Sequence, residues 1–177
     1  MGDSNIGNPV IIALSSFATA LLVLGIVEAT GMHKFAPALL FAVFWAGVAQ
    51  IPTALISAIR GDVYVGSVVG TFGNWLLAFF LLQFVSATGA VPVDPAAVGL
   101  FSLILVPAIL ILWIPAIKAG DTPFNAAFAV LTVMILFLSS GEILGNPMFI
   151  KIAGVLALIA AAIIYYVMYE NTMHLCT

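Results

Sequence analysis

Long runs of apolar residues alternate with short polar breaks along the whole chain. Each run is about 20 residues long, the length that an α-helix needs to cross the hydrocarbon core of a membrane. The pattern therefore predicts an all-α protein with six membrane-spanning helices. These helices are expected within one transmembrane domain, 1–177, at about residues 9–28, 36–59, 65–86, 97–117, 123–140 and 148–169.

Prolines and glycines inside the runs predict local departures from straight, well-separated helices. Pro107 lies within the fourth predicted helix, where a missing backbone donor produces a kink. Gly66, Gly70 and Gly73 lie three or four residues apart on the third helix. Small residues at this spacing let another helix approach closely, so this face is predicted to pack against a neighbour.

Composition supports membrane insertion and argues against several functions. Hydrophobic residues make up 64% of the chain and charged residues 6%, against roughly 25% charged in a soluble domain. The net charge of -3 gives no reason to expect a nucleic-acid partner. His33, His174 and Cys176 do not form a metal-ligand pattern, so no metal or cofactor is expected. A multi-pass protein of the cell (inner or plasma) membrane, in contact with the lipid bilayer, is predicted.

Polar side chains recur in register on the second and third predicted helices. An unsatisfied amide in lipid costs several kcal/mol, so Gln50, near the centre of its helix, must face protein or water. Such residues either join helices or line a path, and their occurrence on both helices of one hairpin favours a path. The two stripes are Gln50, Thr53 and Ser57, and Ser67, Thr71 and Asn74.

The charges restrict what such a path carries. No Lys or Arg lies near the centre of a predicted helix, and no Asp or Glu is central. A small neutral solute, or an anion held by amides, hydroxyls and helix N-termini, is therefore expected. Two Asn-Pro pairs, Asn8-Pro9 and Asn146-Pro147, come at the starts of predicted helices. They either cap these helices or direct the helix N-termini at a central path.

An enzyme is not favoured by the residues available. Glu28 and Glu142 share one predicted membrane face, but nothing in the sequence places them together. The histidines lie in a turn and in the tail, so no catalytic residue is predicted.

The chain also resembles a known family, the acetate uptake transporters, also called acetate/succinate permeases. The resemblance runs through nearly the whole sequence. Its motifs are Asn8-Pro9, Gly47-Val-Ala-Gln-Ile51, Gly61-Asp62, Thr71-Phe72-Gly73 followed by Trp75, Leu131-Thr132-Val133, Gly141-Glu-Ile-Leu-Gly-Asn146 and Ala153-Gly154.

The resemblance implies a homohexamer of six-helix protomers, each with its own path for small monocarboxylates. It also implies an apolar gate at the positions of Phe17, Phe72 and Leu131. Phe72 stands where the family has a tyrosine, which makes the gate drier and is expected to disfavour longer dicarboxylates such as succinate. Glu142 stands where an asparagine is common, which adds a charge at one mouth.

The interpretation that combines these observations is membrane transport of acetate and similar short monocarboxylates, by an anion channel or a proton-coupled carrier. Glu28 and Glu142 are predicted as possible proton sites. Gln50, Asn74 and Thr19 are predicted to donate hydrogen bonds to the carboxylate, and the further predicted binding residues are Thr53, Thr71 and Asn8.

Two alternatives stay open. One is a passive hexameric channel for neutral solutes such as urea or short amides. The other is a membrane scaffold that transports nothing and whose polar stripes only join helices.

Overall fold

The computed structural model describes residues 9–173, and every regular element in that range is helical. Six helical spans are long and apolar enough to cross a membrane, one of which is divided into α4 and α5. The all-α prediction is confirmed. The helices are α1 Val10–Thr30, α2 Ala36–Ile59, α3 Val63–Thr88, α4 Pro95–Leu103, α5 Leu105–Ala119, α6 Thr122–Leu144 and α7 Pro147–Met173, with a 3-10 turn at His33–Phe35 before α2.

Two predicted helix ends lie four residues before the observed ones. The sixth span continues to Met173, so residues 170–173 are helical. The fifth span continues through Gly141 and Glu142 to Leu144 and ends at Gly145, whose φ of 62° is left-handed. Gly141 is a packing residue and not a helix end, because a Cβ built there would lie 2.6 Å from Ile150 Cγ1.

The predicted kink in the fourth span is confirmed. Pro107 has no backbone N–H, so the carbonyl of Leu103 lacks its usual helical partner. The helix breaks one turn earlier, at Ile104, which separates α4 from α5. The two segments still count as one span of 25 residues, Pro95–Ala119.

Short polar side chains in the turns satisfy the helix N-termini. Asp62, Asp94 and Asp121 accept hydrogen bonds from the first backbone amides of α3, α4 and α6, at 3.1, 2.7 and 3.1 Å. Asn146 accepts from the amide of Met148 at 3.0 Å at the start of α7. Asn146 is thus an ordinary cap, whereas its counterpart Asn8 lies outside the described residues.

Small residues bring the helices close together. α1 packs between α2 and α7, α6 packs on α7, and α3 packs on α2. A Cβ built at Gly154 of α7 would lie 2.3 Å from the backbone nitrogen of Ala29 in α1. On α3, a Cβ at Gly66 would lie 2.9 Å from the carbonyl oxygen of Ala54, and one at Gly73 would lie 2.7 Å from Gln50 Cβ. The predicted close approach at the α3 glycines is confirmed, with α2 as the neighbour.

We expect Gly154→Ala to destabilise the protein, because the new methyl group meets backbone atoms of α1 that cannot rotate away. Overpacking of this kind costs about 1–3 kcal/mol. The thermal unfolding of purified protein in detergent measures it, and the midpoint should fall. Gly70→Ala is the matched control, since its methyl group would meet only Ala54 Cβ, at 3.3 Å. Equal midpoints for the two variants would contradict the backbone contact.

Candidate functional site: a vestibule and an apolar narrowing

A cavity of about 460 Å³ lies at the membrane face where α1, α3 and α6 begin and α5 and α7 end. We call it the vestibule. Most of its wall is hydrocarbon, and among the described residues its polar side chains are those of Gln50, Tyr64 and Asp121. It is lined by Val10, Ala13, Leu14, Phe17, Gln50, Tyr64, Val65, Val68, Val69, Phe72, Pro115, Ala116, Ala119, Asp121, Phe124, Ala127, Phe128, Leu131 and Ile164.

A second, much smaller cavity of about 30 Å³ lies deeper in the protein. We call it the inner cavity. The described residues of its wall include no charged side chain and no hydroxyl or amide side chain, so a water molecule there has few partners. It is lined by Phe17, Ala20, Leu21, Leu24, Val43, Phe72, Trp75, Leu76, Phe79, Leu105, Leu131, Met134, Ile135 and Leu138.

Three side chains belong to both walls and separate the two cavities: Phe17, Phe72 and Leu131. The rings of Phe17 and Phe72 are in contact, with centroids 5.1 Å apart and planes tilted by 44°. Phe72 is 5% exposed and Leu131 is 3% exposed. We call the site where these three side chains meet the narrowing. The structure thus brings together the three positions that the resemblance implied, and their action as a gate stays a prediction.

Gln50 is the buried polar group at the vestibule wall. It is 2% exposed, and its Nε2 has no hydrogen-bond partner among residues 9–173. Its position follows from the helix contact, since α3 passes beside it at Gly73, where a side chain would not fit. A buried amide without a partner is costly, and because Gln50 lies in the vestibule wall its N–H groups are candidates for binding a ligand there.

The other polar residues of the α2 stripe, Thr53 and Ser57, do not line the vestibule. Thr53 donates to the carbonyl of Ala49 at 2.9 Å and contacts that of Pro9 at 3.3 Å, which ties α2 to the start of α1. Ser57 is buried and its hydroxyl has no partner among the described residues, but it lines neither cavity.

The polar stripe of α3 does not line either cavity, so the expectation that both stripes face one path is not met. Ser67 and Asn74 are exposed and bond to carbonyls of their own helix, those of Val63 and Gly70, each at 2.8 Å. Thr71 is partly exposed. Successive helix residues turn by about 100°. With its glycines against α2 and Phe72 facing the cavities, α3 turns its polar stripe outward.

Thr19 and the two predicted proton sites also lie away from the cavities. Thr19 donates to the carbonyl of Ser15 at 2.8 Å and lies 2.9 Å from the hydroxyl of Tyr165, so it joins α1 to α7. Glu142 lies against α4, since a Cβ built at Gly99 would lie 3.0 Å from the Cβ of Glu142. The backbone of Glu28 lies instead against α7. The structure therefore does not bring Glu28 and Glu142 into one cavity.

Sequence reasoning missed two polar residues of the vestibule. The hydroxyl of Tyr64 donates to the carbonyl of Leu112 at 2.7 Å, and Asp121 caps α6 while its side chain lies at the cavity wall. Tyr64 opens a helix next to a turn and Asp121 lies in one, so both positions are typical of interfacial residues. Only the tertiary arrangement brings them to the vestibule.

The sequence matches the model of the GPR1/FUN34/yaaH family over residues 1–175. The chain belongs to that family. The resemblance drawn from its motifs is thereby confirmed. The fold of this family member is similar to that of the bacterial acetate channel SatP, with a TM-score of 0.87 and 22% sequence identity over 96% of this chain and 93% of that chain. No curated protein matches the sequence.

We expect Phe72→Ala to join the vestibule to the inner cavity, because it removes one ring of the narrowing. The measurement is the rate at which a small thiol reagent labels Met134→Cys, an inner-cavity position, with Cys176 replaced by serine. Labelling should become severalfold faster when Phe72→Ala is added. Val69→Cys, which lines only the vestibule, is the control and should be labelled at the same rate with or without Phe72→Ala. Unchanged labelling of Met134→Cys would place the barrier elsewhere.

Proposed function

We propose that this protein transports acetate and similar short monocarboxylates across the membrane through its vestibule and narrowing. The observation that carries the proposal is the unpartnered amide of Gln50 in the vestibule wall. The likeness of the fold to a bacterial acetate channel supports the choice of solute.

The chemistry of a short monocarboxylate suits both parts of the site. Its carboxylate accepts hydrogen bonds from the Gln50 amide, and hydrogen bonds to a charged group are stronger than those between neutral groups. Its short alkyl end packs against the hydrocarbon wall formed by residues such as Val68 and Leu14. The narrowing carries no polar side chain, so the solute sheds water where Phe17 and Phe72 meet.

Asp121 provides a physical reason why the vestibule would prefer monocarboxylates to dicarboxylates. Its carboxyl group is at the vestibule wall, and the described wall carries no other charged side chain. Repulsion between like charges is stronger next to an apolar wall than in bulk water. A dicarboxylate such as succinate is repelled about twice as strongly as acetate by this charge, which adds to the effect of a dry narrowing.

The proposal includes a homohexamer. Asn74 lies near the middle of α3 on the outer surface of the protomer, where polar side chains commonly form contacts between membrane helices. The proposal leaves Thr19, Thr53, Thr71, Asn74 and Asn8 as secondary binding candidates, after Gln50.

The experiment that tests the function is uptake of labelled acetate into vesicles that contain the purified protein, with and without an imposed proton gradient. Accumulation that requires the gradient would indicate a proton-coupled carrier and direct attention to Glu28 and Glu142. Simple equilibration would indicate a channel. Flux of urea or short amides without acetate flux would favour the neutral-solute alternative, and no flux of either would favour the scaffold.

We expect Gln50→Leu to reduce acetate flux about tenfold or more at low acetate concentration, because a hydrogen bond to a charged group contributes about 1.5–3 kcal/mol. Ser57→Ala is the matched control, since Ser57 is another buried, unpartnered polar residue of α2 but lines neither cavity. Its flux should stay near that of the unmodified protein. Normal flux in a well-assembled Gln50→Leu variant would remove Gln50 from the path.

A further inference from the structure

The hydroxyl of Tyr64 bonds to the backbone of α5. It donates to the carbonyl of Leu112 at 2.7 Å. In an α-helix this carbonyl is the usual acceptor for the backbone N–H of Ala116, four residues on, and a carbonyl oxygen has a second lone pair for an outside donor. A side chain from α3 is therefore tied to the backbone of this turn of α5.

Pro115 explains why this turn accepts an outside group. It lies inside α5 and has no N–H, so the carbonyl of Ile111 lacks its helical donor and the ladder is already interrupted there. Tyr64 thus supports the weakest turn of α5.

This turn is part of the vestibule wall. Tyr64, Pro115, Ala116 and Ala119 all line the cavity. Packing holds the end of α5 only weakly, since Pro115 and residues 117–119 are exposed. A second polar contact holds α5 from the other side, where Trp113 Nε1 donates to Asn125 of α6 at 2.9 Å. The Tyr64 hydroxyl is the corresponding contact toward α3.

We propose that Tyr64 is a positioning residue, which fixes the α5 wall of the vestibule and thereby the size of acid that the vestibule admits. The size part rests on the transport function proposed above. Tyr64 does not donate a hydrogen bond to the solute in this arrangement, because its hydroxyl proton is donated to the carbonyl of Leu112 in α5. Gln50, whose Nε2 is unpartnered, has the opposite property.

The first test is hydrogen exchange of the α5 backbone in Tyr64→Phe, which keeps the ring and removes only the hydroxyl. The amide of Ala116, the helical partner of the Leu112 carbonyl, should exchange roughly fivefold to tenfold faster, because the turn opens more readily once it loses the hydrogen bond from Tyr64. Tyr165→Phe is the matched control, because its hydroxyl is also bonded, to Thr19, but lines neither cavity. Unchanged exchange at Ala116 would overturn the positioning role.

The second test is the ratio of butyrate flux to acetate flux through the same variants in vesicles. We expect Tyr64→Phe to raise this ratio severalfold and Tyr165→Phe to leave it unchanged. Faster exchange with an unchanged ratio would overturn the link to solute size. Absence of acetate flux in the unmodified protein would refute the transport function, while the exchange measurement would still decide the role of Tyr64 in α5.

A third variant separates positioning from general stability. Pro115→Ala restores a backbone donor for the carbonyl of Ile111, so α5 should depend less on α3. In that background we expect Tyr64→Phe to change both the exchange and the flux ratio less than it does alone. The same background provides a folded protein if Tyr64→Phe alone does not assemble. Equal effects in the two backgrounds would contradict a role at the interrupted turn.

Discussion

The constraint on which the rest of the structure depends is the lack of water in the membrane interior, where every polar group must find its partner within the protein. Most hydroxyl and amide side chains in the described helices meet it by bonding to carbonyls one turn back in their own helix, as Thr19, Ser67, Asn74 and Thr132 do. Among the described residues, five buried side-chain atoms have no partner: Gln50 Nε2, Trp75 Nε1 and the hydroxyls of Ser57, Ser102 and Ser139. Of these five residues, only Gln50 lies in the wall of the vestibule.

Close helix packing determines which side chains reach the cavities. Where Gly66 and Gly73 let α3 lie against α2, the rotation of α3 about its axis is fixed. Phe72 then faces the inside of the protomer, and Asn74, two residues on, faces outward. At Gly154, contact with the α1 backbone similarly fixes α7 against the helix that carries Phe17. The narrowing is thus a consequence of small residues placed elsewhere on the same helices.

The sequence predicted those features that depend on one helix at a time. The spans, the kink at Pro107 and the buried state of Gln50 all follow from local hydrophobicity and backbone chemistry, and all three are confirmed. The rotation of α3 about its axis was not predictable from one helix alone. This helix carries both an apolar and a polar stripe, and periodicity does not say which of the two faces inward. A polar stripe indicates the inner face of a helix only when the outer face of that helix does not itself contact another polar surface.

Features that depend on contacts between helices needed more than the pattern. Phe17, Phe72 and Leu131 came only from the family resemblance, since a single apolar residue in a span ordinarily indicates packing. Tyr64 had no sequence signal, because its partner is a backbone carbonyl of a helix 48 residues away in the chain. A proline in a helix shows that a carbonyl loses its donor, but it does not show which side chain reaches that turn.

The vestibule, the narrowing and the inner cavity follow one another along the protomer. From the vestibule side, Asp121 and Gln50 come first, then the contact of Phe17 with Phe72, then the inner cavity of about 30 Å³, whose described wall has no charged, hydroxyl or amide side chain. On the transport function proposed above, a solute would therefore meet a charged group and an amide before it meets a site that offers it no hydrogen bond. Selection by charge in the vestibule and selection by loss of water at the narrowing would then act on that solute in succession.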